Sequence, residues 1–545
     1  MSLNIFFSSL LTIWLFNGSI PMKDKVDLIV TNGTIYTVDP VNSRAEAMAV
    51  HHGKIMAVGT NKSILEQFEG SEVVDLKGKY IYPGFLDAHC HFYGYALGLQ
   101  YVDIFGCKSF DEVLDRLKKA GNKFSGKWLV GRGWDQNLWT DKYFPDNSQL
   151  NALYPDTPVM LIRVDGHVVL ANQEALNTAG LSLLTNKFGD SQVETKHGQL
   201  TGILNENAAE LMRETVPEPK GHELFDLIKR AEQQCFAVGL TTISDAGLEL
   251  HQVRTIDSLQ KSGFLKMQVY AMLTPNEDNI QEFVKKGPYI TDKLLVRSIK
   301  LYADGSLGSR TARLKHPYSD APTSGIIVTS PDSIGKLCHL AYEHGYQVNT
   351  HCIGDSANGL ILKIYSEVLK GKNDLRWRIE HAQVVDPEDL HLFGDYSVIP
   401  SVQATHATSD MKWAGDRLGS DRIHGAYAYK NLMNQNGWIA NGTDFPIENI
   451  SPLFTFYAAV ARKDLVGFPE GGYMMENALS RLEALRSITI WAAKADFLEH
   501  SKGSLEVGKD ADFIVLDQDI MEIPIGNVLY VKVLETFIGG VGVLK

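Results

Sequence analysis

Two histidines one residue apart, His89 and His91, stand at the end of the apolar run Ile81–Ala88. In an extended chain, residues two apart point to the same side, so both imidazoles can reach one cation while Cys90 between them points away. Further along, His351 closes Tyr346-Gln-Val-Asn-Thr-His, His381 closes Trp377-Arg-Ile-Glu-His, and Asp444 stands in Ala440-Asn-Gly-Thr-Asp-Phe-Pro. Nitrogen and carboxylate donors of this kind suit Zn²⁺ or a similar divalent metal. Taken singly, each has a plainer reading. A lone histidine after a strand is usually a hydrogen-bonded structural group, and Asp444 could cap a turn or the next helix. What distinguishes the set is position, each member following an apolar run.

Lys300 is the odd member. It sits inside Leu294-Leu-Val-Arg-Ser-Ile-Lys-Leu-Tyr302, a charged residue in an apolar strand-like run. Either its stem is buried and its ammonium snorkels to water, or burial lowers its pKa and leaves a neutral amine. A neutral amine can add carbon dioxide, giving a carbamate able to bridge two cations.

The elements that must carry these residues alternate. Apolar runs recur at 80–86, 159–164, 241–244, 294–301, 347–349, 376–379, 397–402 and 437–440, with helix-length amphipathic stretches such as 333–343 and 356–369 between most of them. Buried strands alternating with helices point to a parallel sheet, open or closed. In a βα barrel the carboxyl ends of the strands converge on one face, where sites form. The stretch from about 121 to 230 exceeds one strand–helix repeat and reads as an insertion. Both chain ends are β-rich. Asn32-Gly33 and His52-Gly53 mark turns near the start, and 508–516 and 531–544 supply strands near the end, so the termini are expected to pair into one small β-sandwich.

With 545 residues the chain exceeds a single compact core, and 44% apolar with 21% charged residues is an ordinary globular composition. A net charge of −13 argues against nucleic acid or an anionic membrane as partner. The five cysteines form no Cys-x-x-Cys pair, so neither a disulfide framework nor a zinc ribbon is expected. Ile5 to Phe16 is apolar, of signal-peptide length and too short to span a bilayer. Residues 1–22 therefore read as an export signal. The lack of Lys or Arg among the first twenty leaves an extension of a cytoplasmic protein as the alternative. No other segment suggests stable membrane insertion.

The phrases Pro83-Gly-Phe-Leu-Asp-Ala-His-Cys-His91, Ile299 through Ala312, Thr350-His-Cys-Ile-Gly-Asp355, Arg378-Ile-Glu-His-Ala382 and Asn441-Gly-Thr-Asp-Phe-Pro446 resemble the amidohydrolase superfamily. Asp165-Gly-His167 with Asn172, Gly198–Glu206 and Gly503–Phe513 resemble more closely its amidohydrolase-3 branch of N-acyl and formamide-type hydrolases. The likeness runs in order from about 26 to 540. It implies an α/β fold, a distorted (β/α)₈ TIM barrel over 81–502 flanked by a composite β-sandwich of 26–80 and 503–545. It also implies one or two divalent metal ions, with zinc expected. His89, His91 and Asp444 would hold one ion and His351 and His381 the second, with N6-carboxylated Lys300 between them. Asp444 would also shuttle the proton during hydrolysis of a non-peptide C–N bond in a small molecule.

For substrate binding, the resemblance points to His167, Asp304 and Arg310. Arg132 and Trp134 could reach in from the insertion, and Trp413 could close the pocket from the loop after 401–403. Ester, lactone or deaminating hydrolysis would use the same ligands, and an inert barrel scaffold is the reading of another class. A homo-oligomer is open.

Overall fold

A computed structural model describes residues 23–120, 128–183, 188 and 192–544. The segment read as an export signal, 1–22, lies outside the described residues. Eight parallel strands form a nearly closed barrel: β1 Phe85–Cys90, β2 Leu240–Leu248, β3 Gln268–Leu273, β4 Leu294–Tyr302, β5 Gln347–Cys352, β6 Arg378–His381, β7 Ile399–Val402 and β8 Ala440–Asn441. Neighbours in sequence pair in order from β1 to β8, every pair parallel. Strands covered on both faces must be apolar or internally satisfied throughout, and β1, β3, β5, β6 and β7 are buried at every position.

The seam between β8 and β1 is closed just beyond the strands. The Asp444 amide donates to the His89 carbonyl and the His91 amide to the Phe445 carbonyl, both at 2.8 Å. The Asp87 carboxylate accepts from the Thr443 amide (2.9 Å), the Thr443 hydroxyl (2.6 Å) and the His89 amide (3.1 Å). Gly442 makes this approach possible: a Cβ there would stand 2.5 Å from the His89 nitrogen. One junction thus fixes two histidines and Asp444 together.

A second, six-stranded sheet lies outside the barrel, in the order Val193–Lys196, Gln199–Asn205, Val168–Ala171, Val159–Arg163, Leu129–Trp134, Val102–Asp103. Val159–Arg163, an apolar run that resembles a barrel strand in sequence, belongs here, and Gln268–Leu273 supplies the third barrel strand. The composite β-sandwich has one sheet of Lys54–Gly59, Ala47–His51, Asp24–Thr31 and Phe68–Asp75. In the other, Phe513–Leu516 runs antiparallel to Tyr80–Pro83. Leu28, Val30 and Met48 of the first sheet meet Ile35, Ile81, Phe513 and Phe537 of the second in one apolar cluster.

All five cysteines are free and buried. Among the described residues no helix is long and apolar enough to cross a membrane.

Candidate metal centre and active-site cavity

Four histidines at strand ends are each anchored through one ring nitrogen. His89 Nδ1 lies 2.5 Å from Glu380 Oε2, His91 Nδ1 3.1 Å from the Ala246 carbonyl, His351 Nε2 3.2 Å from the Gly305 carbonyl and His381 Nδ1 2.7 Å from Gln403 Oε1. Acceptors of this kind draw the ring proton to the anchored nitrogen and leave a lone pair on the other. Burial keeps the His89, His351 and His381 rings well below the usual histidine range. The Lys300 charge adds to this at His89, His167 at His351, and His351 at His381. These are neutral imidazoles, the form that binds metal.

Donor atoms of His89, His91 and His381 gather round Asp444. Its Oδ1 lies 3.2 Å from His91 Nε2 and 3.7 Å from His89 Nε2. Despite that proximity, Oδ1 is buried without a hydrogen bond of sound geometry. The His89, His91 and Asp444 donor atoms lie within 4.8 Å of one another. Lys300 Nζ is 3.1 Å from His89 Nε2, and the ring centroids of His351 and His381 are 4.6 Å apart. Burial raises the Asp444 carboxyl, but His91, His89 and His406 outweigh it and hold the group far below the usual carboxylate range. Burial also brings Lys300 down to about 8, although Glu380 and Asp444 oppose it. The neutral imidazoles of His89, His351 and His381, a carboxylate oxygen buried without a hydrogen bond and an easily deprotonated lysine fit a divalent cation.

Local backbone geometry helps to aim these groups. On β6, Arg378 and Glu380 point into the barrel, and strict alternation would send His381 outward with Ile379. His381 and Ala382 instead take φ of 72° and 42°, left-handed values that turn the ring back toward His89, 4.9 Å away between centroids. Asp444 has φ of 59°. Such non-glycine conformations cost on the order of 1 kcal/mol each and persist where surrounding contacts over-determine them.

His91, Lys300, His351, His381 and Asp444 line a cavity of about 790 Å³, the size of a small-molecule site. Of the residues expected to select substrate, His167, Arg132 and Trp413 line it. The His167 ring lies 5.2 Å from that of His351, and Glu206, 2.8 Å from Nδ1, outweighs burial to raise it to about 9. Three others do not line it. A β-bulge at Gly133 (φ 114°) rotates Trp134 away from the side of Arg132, and its indole donates to the Leu161 carbonyl inside the second sheet's core. Asp304 accepts the amides of Ile353, Gly354 and Arg313 at 2.8–3.0 Å and so clamps the loop after β5. Arg310 forms a two-pronged pair with Asp320 at 2.8 and 3.0 Å.

Two residues of the centre were not singled out in the sequence. Glu380 is the buried anchor of His89. His406 Nε2 lies 3.5 Å from Asp444 Oδ2, and with His381 and Asp444 forms a second group of potential ligands. His406 lies within the helix Ala404–Asp410 after β7, not at a strand end.

The amidohydrolase family model matches residues 72–544. Protein LONG AFTER FAR-RED 3 of Arabidopsis thaliana is 33% identical, the alignment covering 95% of this chain and 92% of that protein. The N-substituted formamide deformylase of Arthrobacter pascens is 26% identical, with 95% and 98% covered. Among solved structures, a metal-dependent hydrolase from Pyrococcus horikoshii superposes with a TM-score of 0.75 at 31% identity, covering 92% of this chain and 99% of that one.

Proposed function

The chain belongs to the amidohydrolase family, and from that premise we propose that this hydrolase cleaves an amide-like, non-peptide C–N bond in a small molecule. The observation that carries the reading is the anchoring of four imidazoles, each through one nitrogen, with the donors of His89, His91 and His381 gathered at Asp444. In this reading His89, His91 and Asp444 hold one divalent ion, zinc by the chemistry of the donors, and His351 and His381 hold a second. Lys300, carboxylated on Nζ, lies between them. A bound ion would polarise the scissile carbonyl and lower the pKa of water toward ~7.

The chain's own groups do the rest. Asp444 accepts a proton from the attacking water as the new C–O bond forms, then passes it to the amine nitrogen as the C–N bond breaks. A carboxylic acid and an amine leave. His167, held protonated by Glu206, donates toward the substrate oxygen. Trp413 and the apolar wall exclude bulk water.

Elemental analysis of purified protein, paired with a panel of N-formyl and N-acyl amines, esters, lactones and aminopurines, tests this reading. Amide hydrolysis that rises with metal content is expected. Turnover confined to esters, lactones or purines would replace the proposed reaction, and protein purified without metal would remove it.

A further inference from the structure

Among the described residues, the arginines around the cavity are matched by carboxylates with one exception. Arg163 lies between Asp135 (2.8 Å) and Asp165 (2.5 Å). Arg213 is held by Glu210 at 2.7 Å, and His167 by Glu206. Arg132 has no such partner. Its Nε is buried without a hydrogen bond, and among the described residues no carboxylate pairs directly with its guanidinium, Asp444 and Asp165 favouring its charge only from farther off. Its backbone is fixed, because its carbonyl accepts the Ile104 amide at 3.0 Å just before the bulge at Gly133.

The placement of Arg132 is as particular as its lack of a partner. Its two terminal nitrogens lie over Gly166, where a Cβ would stand 3.7 and 3.9 Å from them and 3.4 Å from Ile447. Tyr101, Phe105 and Ile447 supply apolar cavity wall nearby. Burial and Arg213 bring Arg132 down to about 10, so it remains a cation at neutral pH. A partly buried guanidinium without a counter-ion is costly, and its planar fork matches a carboxylate. Asp165, Asp410 and Glu448 line the same cavity and would disfavour a doubly charged anion.

We propose that Arg132 binds a carboxylate on the substrate, so that the molecule cleaved has an apolar body and one singly charged acidic end. The inference takes the reacting end from the hydrolase reading above and adds the opposite end.

The test is calorimetric titration of zinc-loaded protein with 3-phenylpropanoate and with neutral 3-phenylpropanamide. Wild-type protein is expected to bind the carboxylate at least about tenfold more tightly than the amide. Arg132→Met should lose that advantage, with carboxamide affinity changed less than about twofold, and Arg132→Lys should retain part of it. A carboxylate affinity unchanged in Arg132→Met, as for direct binding to the metal, overturns the inference. So does equal weakening of both probes. Discrimination through Arg132 in protein that takes up no zinc would keep this inference and remove the hydrolase reading. Hydrolysis without discrimination would do the reverse.

Discussion

Glu380 holds His89 from behind, its Oε2 2.5 Å from Nδ1, and neither side chain has any exposure. The pair spans 291 positions of sequence and joins β6 to β1 across the barrel interior. A carboxylate here fixes the tautomer that presents Nε2 to Lys300 and Asp444. Glu380→Gln offers an amide in its place, and metal affinity is expected to fall about 10–100-fold. Competition against a chromophoric chelator measures it; an unchanged affinity would mean that the tautomer is set elsewhere.

Asp444→Asn keeps the shape of the side chain but removes its charge and its capacity to carry a proton. Turnover should fall by roughly 10²–10⁴ while circular dichroism stays that of the wild type. Near-normal turnover would take the proton-transfer role away from Asp444.

Metal removal should be visible in stability as well as activity. An ion present at 100 times its dissociation constant adds about 2.7 kcal/mol to the folded state. Chelated protein should therefore melt lower and recover on adding zinc. Coincident melting curves would show that no ion binds.

Lys300 can add carbon dioxide only as the neutral amine. With its ammonium brought down to about 8, the neutral fraction grows as pH rises through that value. Reactivation of metal-free protein at fixed dissolved carbon dioxide should be roughly tenfold or more faster at pH ~8.5 than at ~6.5. It should also respond to bicarbonate. Indifference to both would argue for an unmodified lysine.

Asp245 links pH to stability beside the donors, directly before Ala246, whose carbonyl anchors His91. It accepts the Tyr93 amide at 3.0 Å near the start of the helix Phe92–Gly98, and burial raises its carboxyl to about 7. The folded state holds a proton that the unfolded chain releases near pH ~4, so stability declines as pH rises from ~4 to ~7 and then levels. The span of about three pKa units corresponds to roughly 4 kcal/mol. Asp245→Asn should flatten the decline in chemical-denaturation curves over that range. An unaltered slope would assign the pH dependence to other groups, Asp87 and Asp304 among them, which burial also raises to about 7.

Legibility in the sequence followed the range of the forces involved. Lys300 stood out because a charge in an apolar strand is locally anomalous, and His89 and His91 because alternation is a local rule. Glu380 lay in plain view beside His381, but its role depends on His89, which no local pattern reveals. His406 was hidden because its helix follows a strand end and carries no spacing signal. Trp134 was misplaced because the bulge at Gly133 breaks the alternation that would have put it beside Arg132. The third barrel strand, Gln268–Leu273, is six residues without charge or motif, and only its neighbours define it.

The pairing of Tyr80–Pro83 with Phe513–Leu516 sets a schedule for the newborn chain. One edge of the earlier strand waits for a partner more than 400 positions downstream, which at ~5–20 residues per second takes roughly 20–90 s to synthesise. During that wait the strand edge and the apolar side chains of Ile81 and its neighbours are open to passing chains. Chaperone demand should concentrate there, and a message truncated before codon 513 should yield aggregates in place of a smaller soluble enzyme.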